Sequence, residues 1–297
     1  METVGFIGMG KMGTPMAVNI QKAGYPMVVY DAREEATRPL LDGGARLAES
    51  AAELAQLSDV VATCLPRPQV VEQVVKGPEG ILEGIRPGGI YMDMSTCGPD
   101  LIRSLEPLFK QKGAHVMDTP VLSSPLDALD RGLIVMAGGD RDIFDRLHPI
   151  LDTFADKVIY AGALGLANVC KLVHNMTTIA MQQVVAEALA LGIKAGVELP
   201  VLLDSGSRGP VGALKDRLTT VFEGQFEPPV FTLDLARKDI GLATNLGRQS
   251  GVPMLVANMV EQIMMHAMNR GWGESDRTIA VRLQEESSGI EMRTVRD

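Results

Sequence analysis

The chain has 297 residues, of which 46% are hydrophobic and 22% are charged, and its formal net charge at pH 7 is -9. This length exceeds what one hydrophobic core usually holds, so two domains are expected. The composition is that of a globular protein, and the acidic balance opposes nonspecific affinity for nucleic acid. A small-molecule partner is therefore favoured over nucleic acid or a membrane.

Cysteine and histidine usage gives no sign of a disulfide framework or a metal site. Cys64, Cys97 and Cys170 are far apart and odd in number, and the four histidines have no ligand spacing. The N-terminal segment has no basic region followed by an apolar core, so no signal peptide is expected. These features predict a cytoplasmic protein without a bound metal.

Strand-like and helix-like segments alternate up to about residue 160, which is typical of strand-helix units around a parallel sheet. Each predicted strand is a short run of apolar or β-branched residues. The strands are predicted over Val4–Ile7, Met27–Tyr30, 60–65, Ile90–Asp93, His115–Asp118, 134–137 and 158–160.

A single long helix is predicted over residues 166–195, which contain no proline and one interior glycine, Gly192. At about 1.5 Å per residue it would run on the order of 45 Å and form the spine of a helical second domain. A membrane span is the alternative, but polar side chains such as Lys171 and Glu187 would be costly in lipid. The sequence therefore predicts a nucleotide-binding domain over 1–162 and a helical domain over 163–297.

A glycine-rich motif lies between the predicted strand Val4–Ile7 and a helix predicted over 14–22. In such a turn the glycines permit a tight bend, close approach of a pyrophosphate and packing of the helix on the strand. The predicted cofactor-binding residues of this turn are Gly8, Met9, Gly10, Lys11, Met12 and Gly13.

Asp31 lies at the end of the second predicted strand, directly after Tyr30. In dinucleotide-binding domains a carboxylate at this position accepts hydrogen bonds from the adenosine ribose. Its charge would repel a 2'-phosphate, so NAD is predicted as the cofactor and NADP is less favoured. Arg33 weakens this preference, because its side chain could turn to accept that phosphate.

Five ordered motifs resemble the β-hydroxyacid dehydrogenase family, which includes 3-hydroxyisobutyrate dehydrogenase, tartronate semialdehyde reductase and, as a longer relative, 6-phosphogluconate dehydrogenase. The match spans nearly the whole chain. The motifs are the glycine turn with Pro15-Met16-Ala17 and Asn19, then Leu65-Pro66, Asp93-Met94-Ser95-Thr96, the stretch 162–175 with Lys171 and Asn175, and Lys238-Asp239-Ile240-Gly241-Leu242-Ala243.

This resemblance implies an α/β fold: a doubly wound Rossmann-type N-terminal domain, then an all-α C-terminal domain built on a long interdomain helix, with the active site between them. It also implies that Leu65, Pro66 and Thr96 line the cofactor and that Lys238 contacts it. Lys171 matches the position of the family's catalytic lysine.

Lys171 and Asn175 are four residues apart on the predicted helix, so they project from one face. Loss of hydride from a carbinol carbon must be accompanied by loss of the hydroxyl proton. A lysine can accept that proton if burial lowers its pKa toward the working pH. Asn175 could hold the substrate by a hydrogen bond. A solvated surface lysine is the alternative, which the apolar neighbours of Lys171 oppose.

The predicted substrate loop departs from the family pattern. Relatives continue Ser-Gly-Gly after Asp118-Thr119-Pro120-Val121, whereas this chain has Leu122, Ser123 and Ser124. Ser123 and Ser124 are predicted to hydrogen-bond the substrate carboxylate, although the loop could instead bind it through its main chain. The other predicted substrate residues are Ser95, Phe231 and, as a reader of a second acidic group, Arg208.

The sequence thus predicts hydride transfer between a nicotinamide cofactor and the hydroxyl of a small 3-hydroxy acid similar to 3-hydroxyisobutyrate. Two alternatives remain: a semialdehyde reductase of the tartronate, succinic or sulfolactaldehyde type, and a non-catalytic nucleotide sensor. The long apolar helix needs more cover than a small domain supplies, so a homo-dimer or homo-tetramer is expected.

Overall fold

The computed structural model describes residues 1–294, and the last three residues of the predicted helical domain lie outside the described residues. The described part contains one sheet of nine strands. They are β1 (Val4–Ile7), β2 (Met27–Tyr30), β3 (Arg46–Leu47), β4 (Val60–Thr63), β5 (Ile90–Asp93), β6 (His115–Asp118), β7 (Val121–Leu122), β8 (Leu133–Gly138) and β9 (Ala155–Gly162).

Helices follow most strands and then make up the remainder of the described chain. They are α1 (Gly13–Lys22), α2 (Arg38–Asp42), α3 (Ala51–Leu57), α4 (Pro68–Lys76), α5 (Ile81–Gly84), α6 (Pro99–Gln111), α7 (Pro125–Leu129), α8 (Arg141–Leu151), α9 (Leu166–Lys194), α10 (Leu199–Ser205), α11 (Pro210–Leu214), α12 (Thr219–Glu223), α13 (Leu233–Gln249), α14 (Leu255–Asn269) and α15 (Val281–Ser288). Short 3₁₀ turns cover Glu34–Thr37, Asp216–Leu218 and Arg277–Ala280.

The sheet has the order β3-β2-β1-β4-β5-β6-β8-β7, and β9 pairs with β8. The first six strands in this order, β3-β2-β1-β4-β5-β6, are parallel to one another. Strand β8 runs antiparallel to β6 and β7. The chain winds outward in one direction from β1 to β3 and in the other from β4 to β6. The order therefore reverses between β1 and β4, and ligands of doubly wound sheets bind beyond the carboxyl ends of strands at this point.

Both faces of the sheet are covered, which explains the continuous burial of β1, β4 and β5. Because side chains alternate along a strand, Val4 and Phe6 pack on one face and Ile7 on the other. Helices α1 and α8 cover the first face, and α3, α4 and α6 cover the second. The predicted doubly wound domain is confirmed.

The described chain forms two compact units, one over Met1–Lys171 and one from Leu172 onward. The sequence predicts a domain division at 162/163, and the two compact units divide nine residues further along, within α9. The reason is local hydrogen bonding: the N–H groups of Gly165 and Asn168 both donate to the carboxylate of Asp118, at 2.7 Å each.

The second unit is helical, as predicted, and has a hydrophobic core of its own. Helix α9 contributes Val185, Ala186 and Leu189 to that core. This helix is also long and apolar enough to cross a membrane by length and composition, a test that core helices of soluble proteins pass as well. Two buried glutamines, Gln182 and Gln183, interrupt its apolar surface.

Candidate active site

The three glycines of the β1–α1 turn have three different surroundings. Gly8 has φ of +100°, and a Cβ there would meet the carbonyl oxygen of Cys64. A Cβ on Gly13 would meet the carbonyl oxygen of Gly8, so the start of α1 packs directly on the turn. A Cβ on Gly10, by contrast, would have no heavy atom within 4 Å. This open position at the helix N-terminus fits close approach of a pyrophosphate.

The Asp31 carboxylate is fixed beside this turn. Its Oδ2 accepts the N–H of Met9 at 2.6 Å, and its Oδ1 accepts the N–H of Arg33 at 2.9 Å. The Arg33 side chain is 66% exposed and its Nε lies 3.8 Å from Asp31 Oδ1. Such an exposed pair is weak, so the arginine side chain is able to turn away while the carboxylate keeps its position.

The residues after β4 and β5 are tied together at the carboxyl edge of the sheet. The N–H of Leu65 donates to Ser95 Oγ at 2.9 Å, and the N–H of Ser95 donates to Asp93 Oδ1 at 3.0 Å. Ser95 is 2% exposed. Its buried hydroxyl joins two loops, while the neighbouring Pro66 is exposed and Thr96 is half-buried. The role of Ser95 in substrate binding stays a prediction.

Two buried carboxylates, Asp93 and Asp118, lie next to each other on β5 and β6. Burial raises the pKa of Asp93, and burial raises the pKa of Asp118 to about 6, with the charge of Asp93 adding to that rise. The hydrogen bonds from Gly165 and Asn168 act in the opposite direction on Asp118. Asp118 thus holds the start of α9, a role that its place in the sequence did not reveal.

Lys171 lies on the second turn of α9 and is half-buried. Its Nζ donates to the carbonyl oxygen of Val121 at 2.7 Å. Val121 begins the predicted substrate loop, so the structure brings the predicted catalytic ammonium and that loop together. These residues are 50 positions apart in the sequence.

The substrate loop retains a backbone conformation that favours glycine. Ser123 is exposed and has φ of +95°, in the left-handed region, while Leu122 is half-buried. Ser124 caps α7: its Oγ donates to Asp127 Oδ2 at 2.7 Å and accepts the Asp127 N–H at 3.3 Å. The role of Ser124 in substrate binding stays a prediction; in the structure its hydroxyl is engaged by the carboxylate of Asp127.

In the second unit, Asn175 is oriented by a carboxylate of α13. Asn175 Nδ2 donates to Asp239 Oδ2 at 2.6 Å, and Lys238 Nζ lies 2.9 Å from Asp239 Oδ1. The lysine contact is electrostatic rather than a well-aligned hydrogen bond. Asp239 is 2% exposed. It fixes the amide of Asn175, a role that the sequence did not indicate because the two residues are 64 positions apart.

The remaining predicted residues differ in their surroundings. Phe231 is half-buried, with the guanidinium carbon of Arg277 lying 5.7 Å from its ring centroid. Arg208 is exposed in the turn before α11. Among residues 1–294, no group of three histidine, cysteine, aspartate or glutamate side chains is placed to hold a metal ion.

Three features together define the class of protein. They are the glycine turn that leaves room for a pyrophosphate, the fixed Asp31 carboxylate after β2, and Lys171 beside the predicted substrate loop. The protein is a nicotinamide-dependent oxidoreductase with a Rossmann-type domain and a helical unit.

Comparison with known proteins identifies the family. The family model of the NAD binding domain of 6-phosphogluconate dehydrogenase matches residues 3–162. That of the NAD-binding region of NADP-dependent 3-hydroxyisobutyrate dehydrogenase matches residues 165–284. The chain belongs to the β-hydroxyacid dehydrogenase family, and it is an NAD(P)-dependent enzyme that acts on the CH–OH group of a small hydroxy acid or on the corresponding aldehyde.

Similar proteins match over their full length. The 2-(hydroxymethyl)glutarate dehydrogenase of Eubacterium barkeri is 29% identical over 290 residues, 97% of this chain and 96% of that protein. The 3-sulfolactaldehyde reductase of Escherichia coli is 32% identical over 297 residues, 98% of each chain. The solved structure of Mycobacterium tuberculosis 3-hydroxyisobutyrate dehydrogenase with L-serine has a TM-score of 0.84 at 27% identity, covering 96% of this chain and 99% of that one.

Proposed function

We propose that this enzyme oxidises the hydroxyl of a small 3-hydroxy acid similar to 3-hydroxyisobutyrate, with Lys171 as the proton-handling group. The observation that carries the proposal is the 2.7 Å hydrogen bond from Lys171 Nζ to Val121, at the start of the substrate loop. An amine held next to the predicted substrate loop supports a role for Lys171 in general acid-base catalysis.

Each residue has one task in this proposal. Lys171 Nζ accepts the hydroxyl proton as the carbinol becomes a carbonyl, and it returns the proton in the opposite direction. The bound nicotinamide accepts the hydride. Asn175, whose amide is held by Asp239, hydrogen-bonds the substrate. Leu122 forms an apolar wall, and Ser123 binds the carboxylate through its hydroxyl or its N–H.

We propose NAD as the preferred cofactor. The support is Asp31, whose carboxylate is held beside the glycine turn by the N–H of Met9 and would repel a 2'-phosphate. Arg33 limits this preference, since its exposed side chain could rotate toward such a phosphate. The residues that would bind the remainder of the cofactor are Gly8, Gly10, Lys11, Met12, Gly13, Leu65, Pro66, Thr96 and Lys238.

Reduction of a semialdehyde is a second candidate direction, because the relative from Escherichia coli is named a 3-sulfolactaldehyde reductase. The same lysine would then donate the proton.

We also propose a cytoplasmic homo-dimer or homo-tetramer. Exposed apolar residues of the second unit support it: Leu191 is 72% exposed, Leu255 80% and Met259 64%.

A kinetic screen tests the proposal. Purified enzyme is assayed with NAD and with NADP on 3-hydroxy acids, and with NADH and NADPH on the matching semialdehydes. The value of kcat/KM should be highest for a 3-hydroxy acid or its aldehyde and should fall for 2-hydroxy acids of equal length. Cofactor binding without turnover on the whole panel would refute the catalytic proposal and favour a nucleotide sensor.

A further inference from the structure

Arg277, at the start of the 3₁₀ turn Arg277–Ala280, is a half-buried cation held on two sides. Its Nε donates to Gln182 Oε1 at 3.2 Å, and the Gln182 Nε2 faces the Arg277 carbonyl at 3.5 Å. Its guanidinium carbon lies 5.7 Å from the centroid of the Phe231 ring. An amide and an aromatic ring therefore fix the position of the guanidinium, which is a preorganised arrangement for binding an anion.

Among residues 1–294 no ion pair within 4.0 Å includes Arg277, although the negative charge of Asp276 acts on its guanidinium. The carboxylate of Asp276 is engaged by the N–H groups of Val230, Phe231 and Thr278 and by the Thr278 hydroxyl. Burial lowers the pKa of the Arg277 guanidinium; Asp276 opposes this effect and the cation of Arg217 adds to it. An incoming anion would add to the compensation that Asp276 supplies.

The Arg277 guanidinium lies along the face of α9 that carries Asn175. Gln182 follows Asn175 by seven residues, so at 3.6 residues per turn the two point within about 20° of each other. Their Cα atoms are separated by about 10 Å along the helix axis. All side chains of a helix lean toward its N-terminus, so only the longer reach of glutamine shortens the separation between the two amide groups.

We propose that Arg277, braced by Gln182, binds a second carboxylate of the substrate, so that the preferred substrates are 3-hydroxy acids carrying another acid group a few carbons from the reacting centre. This inference rests on the proposed function. The planar guanidinium matches a carboxylate through paired N–H groups. Arg277 replaces Arg208 in this role, because Arg208 is exposed in a turn and has no comparable bracing.

A matched pair of substrates tests the proposal. 2-(Hydroxymethyl)pentanedioate and 2-(hydroxymethyl)pentanoate have the same carbon chain and the same reacting group, and they differ only by the second carboxylate. The wild-type enzyme should prefer the dianion. In Arg277→Gln, kcat/KM for the dianion should fall by about 10- to 150-fold relative to the monoanion, the range for loss of a charge-assisted hydrogen bond.

Arg282→Gln is the control, because Arg282 also lies near an aromatic ring, at 5.4 Å from Trp272, but is exposed. The substrate ratio should not change in this variant. Arg277→Lys keeps the charge without the planar pair of donors and should give an intermediate ratio. It also serves as the second variant if Arg277→Gln does not fold.

Equal losses on both substrates would overturn the proposal, because Arg277 would then serve the common carboxylate or the fold. An unchanged ratio in both Arg277 variants, or a ratio that falls in Arg208→Gln instead, would overturn it as well. If neither substrate is turned over, the proposed function fails. Equilibrium binding of pentanedioate and pentanoate to the enzyme–NAD complex then tests Arg277 separately, and equal affinities in the wild type would refute its role.

Discussion

Replacement of Lys171 by methionine removes the amine but keeps a side chain of similar length. In the structure this lysine is half-buried and donates to the Val121 carbonyl at 2.7 Å. A general acid-base group contributes about 10²- to 10⁴-fold to a rate. Lys171→Met should therefore lower kcat by at least about 100-fold, which corresponds to about 2.7 kcal/mol in the activation free energy.

A structural role for the same lysine predicts a different pattern. Loss of its hydrogen bond to Val121 should cost about 1 kcal/mol of unfolding free energy and loosen the substrate loop. Lys171→Arg separates the two effects, because a guanidinium can still donate to the Val121 carbonyl but does not release its proton near neutral pH. Both variants should be slow if Lys171 transfers the proton, whereas arginine should restore activity if it only holds the loop.

The assay is single-turnover hydride transfer, followed by nicotinamide absorbance, together with calorimetric measurement of NAD affinity. NAD affinity should change by less than about threefold, because Lys171 is proposed to act on the substrate hydroxyl and is not among the residues proposed to hold the nucleotide. Retention of more than a tenth of wild-type kcat in Lys171→Met, with chemistry rate-limiting, would refute the assignment. Recovery of activity in Lys171→Arg would do so too.

Three further predictions concern the cofactor, the substrate loop and pH. The enzyme should have a higher kcat/KM with NAD than with NADP, and Asp31→Ala should narrow the difference; a tenfold preference of the wild type for NADP would contradict this. Ser123→Ala and Ser123→Gly should both lower kcat/KM by about 10- to 150-fold if the hydroxyl binds the acid, and unchanged kinetics in Ser123→Gly would indicate main-chain binding. Ser124→Ala should instead cost about 0.5 to 2 kcal/mol of stability through loss of the α7 cap, with little effect on kcat/KM. For Asp118, a folded-state pKa of about 6 against 3.8 unfolded means that the native state binds its proton more tightly. Its stabilising contribution is present below pH 3.8 and is lost as pH rises through 6. The unfolding free energy of the wild type relative to Asp118→Asn should therefore fall by about 2 kcal/mol between pH 4 and pH 7 in urea titrations. A flat difference would show that Asp118 does not titrate in this range.

The strands of the first unit could be predicted because most of them are buried on both faces. The predicted bounds of β1, β2, β5 and β6 are those of the structure. Parallel strands covered by helices contain continuous apolar runs, which a sequence shows directly. Strands β3 and β7 were missed, since each has two residues and such a length carries no recognisable period.

The glycine turn was predictable because its chemistry is local: strand, glycines and helix follow one another within a few residues. The roles of Ser95 and Ser124 were not predicted, for two different reasons. The partner of Ser95 is Leu65, 30 positions away, and no local pattern indicates it. Ser124 begins Ser124-Pro125-Leu126-Asp127, a serine followed by proline and, three residues later, an acidic residue. That pattern is typical of a helix N-cap and could have been recognised.

The Lys238-Asp239 pair shows how one short motif can serve two purposes. The sequence indicated a cofactor contact for Lys238, but in the structure its ammonium lies 2.9 Å from Asp239 while the same carboxylate accepts from Asn175. Asp239 is 2% exposed, and its two oxygens face two different side chains, Oδ1 that of Lys238 and Oδ2 that of Asn175. The proposed cofactor contact of Lys238 and the proposed substrate contact of Asn175 would therefore be linked through one carboxylate of α13.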